Sequence, residues 1–248
     1  MTDTKLYLGD CLEVMKQIPD GSVDMVCGDL PFGTTRNGWD VVIPFDLLWK
    51  QYHRIVKPSG AILQFSQNPF SAELIMSNKN EFRYEWIWEK PNGSGWLNSH
   101  KMPLKCHENI LVFYKELPVY NPQFTYGEPY YKGNHGCSSN YNKMKDVEHR
   151  EYGSKRFPRD VIKFNNSDRH DIIHPTQKPV DLLSYLIRTY TNEGDTVLDN
   201  SMGSCSTGIA CIETGRNFIG IESNQEYFTA AQERIEKRKV QGIQGELF

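Results

Sequence analysis

The sequence predicts an α/β fold built on an open, mostly parallel sheet, and three observations carry that prediction. Short apolar runs of strand composition alternate with stretches of helical spacing along most of the chain. Turns rich in Gly, Ser and Pro fall where a strand hands over to a helix or a helix to a strand. At 248 residues the chain can bury a substantial core as one domain carrying an insertion.

Taken in order, Lys5–Leu8 reads as a strand, and Gly9-Asp10 opens a helix over Cys11–Ile18 with Leu12, Met15 and Ile18 on one face. Val23–Cys27 is a second strand, ending at Gly28-Asp29-Leu30-Pro31-Phe32-Gly33, with a polar loop on to Asp40. Phe45–Lys57 has helical spacing, Pro58-Ser-Gly stops it, and Ala61–Phe65 is a short buried strand. A helix over Ser71–Ser77 and strands over Tyr84–Glu89 and Glu108–Tyr114 follow. After residue 170 the alternation resumes: a helix from Pro179 through Thr189, the strand Thr196–Asp199, a helix over Thr207–Thr214, the strand Asn217–Glu222 and an amphipathic helix over Gln225–Lys239. This divides the chain into a first half, 1–117, an inserted region, 118–170, a second half, 171–240, and a weakly ordered tail, 241–248.

The inserted region is rich in Tyr, Asn, Gly, Lys and Arg and lacks apolar periodicity. The whole chain carries a net charge of −3, which by itself argues against a polyanionic partner. Between Tyr131 and His170, however, nine Lys or Arg stand against five Asp or Glu, leaving nineteen against twenty-six elsewhere. The basic charge is therefore local, as a nucleic-acid contact or a solvated Lys-rich loop would make it. No apolar run is long enough for a membrane span, and the N-terminus has no secretory pattern, so a cytoplasmic protein with reduced thiols is expected. The six cysteines are scattered without a Cys-x-x-Cys pair, and no metal cluster is evident.

Two strand ends carry chemistry. Asp199-Asn-Ser-Met-Gly-Ser-Cys-Ser-Thr-Gly208 lies between a buried strand and a helix, where an open parallel sheet holds its ligand. A tight turn needing small residues explains its glycines equally well. Glu222, ending the next strand, stands where an acidic residue can accept from ribose hydroxyls. The turn has no Gly-x-Gly for a pyrophosphate, so an adenosine cofactor without phosphates fits better than a nicotinamide dinucleotide. At the other strand end, Asp29 through Phe32 can be a capped turn or an amine-binding motif.

Asp29-Leu-Pro-Phe32, His174-Pro-Thr-Gln-Lys-Pro179 and Asp199–Gly208, in that order, resemble three motifs of the permuted, or beta-group, DNA amino-methyltransferases of the N6-adenine/N4-cytosine family. Gly9-Asp10-Cys-Leu-Glu, Trp88-Glu-Lys-Pro and His107-Glu108 are similar to further pieces of it, and the likeness spans most of the chain outside 118–170. Leu30 stands where the first proline is usual, Asn200-Ser201 where Pro-Phe is, and Cys205 where a second glycine is.

The resemblance implies a Rossmann-like, S-adenosylmethionine-dependent methyltransferase sheet with circularly permuted motif order and an inserted target-recognition region. It implies S-adenosylmethionine on Asp10 (adenine), Glu222 (ribose), Thr176 and Lys178 (methionine end) and the turn residues Asp199, Gly203, Ser204 and Ser206. The expected activity is site-specific methylation of adenine N6 in a flipped-out base, on the catalytic motif Asp29, Leu30, Pro31 and Phe32: Asp29 and the Leu30 carbonyl each accept one amino hydrogen and Phe32 stacks on the base. An aspartate at position 29, where N4-cytosine enzymes resemble Ser-Pro-Pro-Tyr, favours adenine; N4-cytosine transfer and a catalytically silent DNA-binding protein are the alternatives.

Double-stranded DNA is the expected partner, with Arg36 and Trp39 on the 33–40 loop and Lys143, Lys145, Arg150, Lys155, Arg156, Arg159 and Arg169 in the insertion as candidate contacts, interleaved with Tyr130, Tyr131, Tyr141 and Tyr152. Loop tyrosines can equally pack on the core. A homodimer and a cognate restriction endonuclease are further partners consistent with the resemblance.

Overall fold

In a computed structural model, residues 2–34, 38, 40–129, 153–166 and 177–245 are described. Eight strands form one sheet in the order β1-β10-β9-β2-β3-β5-β4-β8. They are β1 (Thr4–Leu8), β2 (Val23–Gly28), β3 (Val56–Ser66), β4 (Phe82–Ser94), β5 (Lys105–Phe113), β8 (Val161–Lys163), β9 (Thr196–Asp199) and β10 (Asn217–Glu222). β5 is antiparallel to both its neighbours; every other pairing is parallel, so the remaining strands share one direction.

Alternation along the strands explains the two-sided core. On β2, Met25 and Cys27 pack with Leu182, Leu186 and Ala210, from helices α4 (Val180–Tyr190) and α5 (Ser206–Thr214), and with Ala231 of α6 (Gln225–Gly245). Val26, between them, belongs to the opposite cluster with Tyr52, Ile55 and Leu74, from α2 (Phe45–Ile55) and α3 (Phe70–Ser77), and with Met15 of α1 (Cys11–Met15). The sheet is therefore covered on both faces, which is why its strands read as continuous apolar runs rather than alternating ones.

Several boundaries differ from the sequence reading. Helix α2 ends at Ile55, and β3 begins directly at Val56 instead of after Pro58-Ser-Gly60. Lys57–Gly60 are accommodated by a register shift against β2, and Gly60 sits there because a Cβ would lie 2.9 Å from the Asp24 carbonyl oxygen. β4 runs on to Ser94, past Pro91 and Gly93, by another register shift against β5. Helix α6 continues through Gly245, into the segment taken as tail, despite Gly242 and Gly245.

A second compact unit comprises Pro122–Arg159, narrower than the 118–170 segment assigned from composition. Residues 160–166 belong with the main unit, where Val161–Lys163 pairs along β4 as its edge strand. Within the small unit, β6 (Thr125–Tyr126) pairs antiparallel with β7 (Lys155–Arg156), and Phe124 meets Phe157 with ring centroids 4.9 Å apart. Among the described residues, no helix is long and apolar enough to cross a membrane.

Candidate active site

The chain leaves β9 through α5 toward β10 on one side, and leaves β2 through α2 toward β3 on the other. The carboxyl ends of β2 and β9 thus flank the point where strand order reverses, the place where an open α/β sheet forms a ligand crevice. A cleft of about 460 Å³ lies there, lined by Asp10, Asp29 to Phe32, Lys178, Asp199, Gly203, Ser204, Ser206 and Glu222. The described residues expected at the catalytic motif and the cofactor turn are therefore brought to one cavity.

Each is positioned by local chemistry. Asp10 caps α1, its Oδ1 accepting from the Leu12 and Glu13 amides at 2.8 and 3.2 Å. Glu222 braces the turn: its two carboxylate oxygens accept from the Gly203 amide at 2.9 Å and the Asn224 amide at 2.8 Å, leaving lone pairs for further donors. Gly203 takes φ +49°, and Cys205 is the one non-glycine residue at positive φ among the described residues, at +62°. Its side chain is buried in the core and does not line the cleft, so the substitution for glycine costs backbone strain of about 1–2 kcal/mol without filling the cavity. Arg234 reaches from α6 to the Ser204 carbonyl at 2.8 Å and the Ser206 hydroxyl at 3.0 Å, holding the turn from behind.

Asp29 and Lys178 form the electrostatic centre. The Lys178 ammonium is 2.5 Å from Asp29 Oδ2 and 3.3 Å from Glu108 Oε2, and Lys90 pairs with Glu108 Oε1. Lys178 is only 10% exposed. Burial by itself would pull its ammonium down, but Asp29 and Glu108 outweigh that and hold it above the ordinary lysine value. Burial pushes the Asp29 carboxyl up; Lys178 draws it back and Glu108 adds to the rise, leaving it above the ordinary aspartate value. Burial also raises Glu108, but Lys178 and Lys90 together bring it below the usual range. Lys178, expected at the methionine end of a cofactor, lines the cleft and pairs there with Asp29 of the expected catalytic motif. Asp29 Oδ1 is buried and has no hydrogen-bond partner among the described residues.

Asp199 sits on the adjoining strand with neutral partners. The Thr207 hydroxyl donates to Oδ2 at 2.7 Å and the Ser201 amide to Oδ1 at 3.1 Å. Burial pushes its carboxyl up to about 7 despite those two donors. Beneath, Gln64 donates to the Tyr52 hydroxyl at 3.0 Å, which donates to Asn200 Oδ1 at 2.7 Å. Gly28 fits above them because a Cβ would stand 3.3 Å from Gln64 Oε1.

Sequence reasoning assigned no role to Glu108, Lys90, Asp40, Gln64, Asn200 or Arg234. A glutamine inside the apolar run Ala61–Phe65 was the available signal for Gln64, and the likeness of His107-Glu108 and Trp88-Glu-Lys-Pro to pieces of the family was the signal for Glu108 and Lys90. Asp40 gave none: its carboxylate accepts from the Gly33 and Thr34 amides at 2.8 and 2.9 Å and ties the two ends of the 33–40 loop. Phe32 lines the cleft with its ring 4.9 Å from that of Phe70. In the small unit, Lys155 lies 4.1 Å over the Phe124 ring, Arg156 donates to the carbonyls of Gly153 and Glu128, and Arg159 ends the unit. Arg156 is thereby engaged by its own hairpin. Arg36, Trp39, Lys143, Lys145, Arg150, Arg169 and Thr176, with Tyr130, Tyr131, Tyr141 and Tyr152, lie outside the described residues.

A family model of DNA methylases, covering N6 and N4 methyltransferases, matches residues 23–233. DNA adenine methyltransferase YhdJ of Escherichia coli is 28% identical over 92% of this chain and 81% of its own length. Type II methyltransferase M.BglII of Bacillus subtilis is 29% identical over 92% of this chain and 67% of its own. Among solved structures, the M1.HpyAVI–SAM complex superposes with a TM-score of 0.63 at 27% identity, over 94% of this chain and 98% of that one. The cytosine-N4-specific PvuII DNA methyltransferase, at 18% identity, shares the fold with a TM-score of 0.68, over 96% of this chain and 92% of its own. With a family model spanning most of its length and a cleft at the reversal of strand order that gathers its motifs, the chain belongs to the N6/N4 DNA methylases.

Proposed function

We propose that this protein transfers a methyl group from S-adenosylmethionine to adenine N6 in double-stranded DNA. The observation that carries the reading is Asp29, a residue of the cleft wall: one oxygen is paired with Lys178, and the other is buried without a hydrogen-bond partner among the described residues. An unpaired buried acceptor on a charged group costs free energy until a donor arrives, and an exocyclic amine supplies N–H donors. Asp29 accepts one amino hydrogen and the Leu30 carbonyl the other, which polarises the nitrogen and orients its lone pair. The buried Leu30 side chain anchors that backbone in place of a proline ring. Phe32 offers an aromatic face to an extruded base, offsetting an unstacking cost of a few kcal/mol.

The cofactor supplies an electrophilic methyl on a sulfonium. The cleft suits it: Lys178 is the single Lys or Arg among its described lining residues, against Asp10, Asp29, Asp40, Asp199 and Glu222. Among the described residues that wall favours a cation over a pyrophosphate. Glu222, with lone pairs to spare, is assigned to the ribose hydroxyls, Asp10 to the adenine amine, and Asp199, Gly203, Ser204 and Ser206 to the rest of the cofactor wall. Thr176 is assigned to the methionine end, and Arg36, Trp39, Lys143, Lys145, Arg150, Lys155, Arg159 and Arg169 to the DNA, on sequence alone.

The test is methyl transfer from labelled S-adenosylmethionine into unmethylated genomic DNA, followed by nucleoside digestion and mass spectrometry. N6-methyladenine is expected. N4-methylcytosine would move the same chemistry to the other base, and cofactor binding without DNA methylation would overturn the reading.

A further inference from the structure

The connection between β4 and β5 is a built hairpin tip that the site does not use. Gly95, at φ +89°, turns the chain into a short 3-10 helix, Trp96–Asn98, and backbone bonds from Ser99 to Trp96, Lys101 to Asn98 and Met102 to Asn98 hold the tip at 2.8–3.1 Å. Gly93 packs so closely that a Cβ would lie 2.7 Å from Leu104 Cβ, and the Ser94 hydroxyl donates across to the Lys105 carbonyl at 3.2 Å. This ordered tip nonetheless presents Trp96 at 69%, Leu97 at 99% and Met102 at 56% exposure. From Lys90 to Lys105 the sequence contains Lys90, His100, Lys101 and Lys105 and no acidic residue, on a chain whose overall charge is negative.

Its placement is set by topology. β4 runs in the same direction as β2 and β9, so its carboxyl end, from which the tip springs, lies at the sheet edge that carries Asp29 and Asp199. Glu108, three residues beyond Lys105, is paired with Lys178, the cation that holds Asp29. Met102, the near end of the tip, is six residues from Glu108 along the strand, so at about 3.4 Å per residue the tip projects roughly 20 Å beyond that carboxylate, on the side where a duplex must lie to deliver a base to Asp29.

We propose that the 95–102 tip enters duplex DNA beside the extruded base, with Trp96 and Leu97 against the vacated stack and Lys101 on a phosphate. The proposal rests on the DNA-methylation reading above. Apolar side chains beside Lys101 and Lys105, with no acidic residue between Lys90 and Lys105, match a polyanion that has exposed base faces at one point. A second copy of the same cationic tip would be repelled.

The test compares wild type with the double variant Trp96→Ala/Leu97→Ala, and separately with Lys101→Ala, on unmethylated duplex DNA. The double variant is expected to lose at least about tenfold in kcat/KM for DNA, with KM for S-adenosylmethionine, thermal midpoint and sedimentation unchanged. Lys101→Ala is expected to reduce the slope of log affinity against log salt by about one. A double variant within about twofold of wild type on duplex, or one whose sedimentation shifts while its DNA affinity stays, would overturn the tip's assignment alone. A wild type that binds no DNA would overturn the reading on which it rests.

Discussion

Asp29 and Asp199 end neighbouring strands of one sheet, both enclosed and both on the wall of the same cleft, yet their surroundings differ in kind. Asp29 meets a buried ammonium 2.5 Å away, itself shared with Glu108 and, through Glu108, with Lys90. Asp199's hydrogen-bond partners among the described residues are a hydroxyl and an amide, and burial, with smaller contributions from the Asp29 and Glu222 charges, carries it to about 7. The comparison teaches that a strand-end carboxylate acquires its chemistry from what the rest of the fold sends to it. A full opposite charge favours the ionised form, which an amine-activating acceptor needs. Neutral donors in an apolar setting leave a group poised near neutrality, suited to holding a turn.

The contrast can be broken most severely at Asp29. Asp29→Ala should lower methyl transfer by at least about 10²–10³-fold while leaving cofactor binding within a fewfold, measured by single-turnover transfer and by titration of S-adenosylmethionine. Loss of cofactor binding in the same proportion would mean that Asp29 serves the fold instead.

Lys178→Met comes next. It leaves Asp29 and Glu108 buried without their shared cation and should cost about 3–5 kcal/mol of stability, read from urea unfolding. A loss below about 1 kcal/mol would show the ion pair to be a surface contact in practice.

At Asp199 the sign is the reverse of that for a salt-bridged carboxylate. Its pKa is about 7 folded against an ordinary 3.8, so the folded state binds the proton more tightly. The stabilisation is complete below about pH 4 and is lost as pH rises to about 7, by as much as roughly 4 kcal/mol. Unfolding measured from pH 4 to pH 8 should show that decline, and Asp199→Asn should flatten it. The smallest change sharpens the same point: Thr207→Val removes one neutral donor, should cost about 1–2 kcal/mol at pH 8, and should move the decline to higher pH.

What the sequence disclosed follows the same division. The strands carrying Asp29, Asp199 and Glu222 were legible because covering a sheet on both faces demands uninterrupted apolar runs, and their ends are marked by Gly, Pro and Ser. Residues that act on these strand ends from afar were not. Lys178 lies 149 positions from Asp29, and nothing local distinguishes a lysine before a helix from one aimed at a carboxylate. Asp40 and Arg234 act through loop and turn backbone, whose geometry composition does not encode. β8, three residues long inside a polar stretch, is a strand because it pairs with Ile87–Glu89 of β4, a partner more than seventy positions away that local composition does not reveal.

The most direct test of the central claim, that Asp29 works as a carboxylate kept charged by Lys178, is the single-turnover methyl-transfer rate against pH for wild type and Lys178→Met. The rate should fall on the acid side as Asp29 takes a proton, and that limb should move to higher pH when the lysine is removed, because burial then acts on the carboxyl unopposed. A limb at the same pH in both proteins, or no acid limb at all, would contradict it.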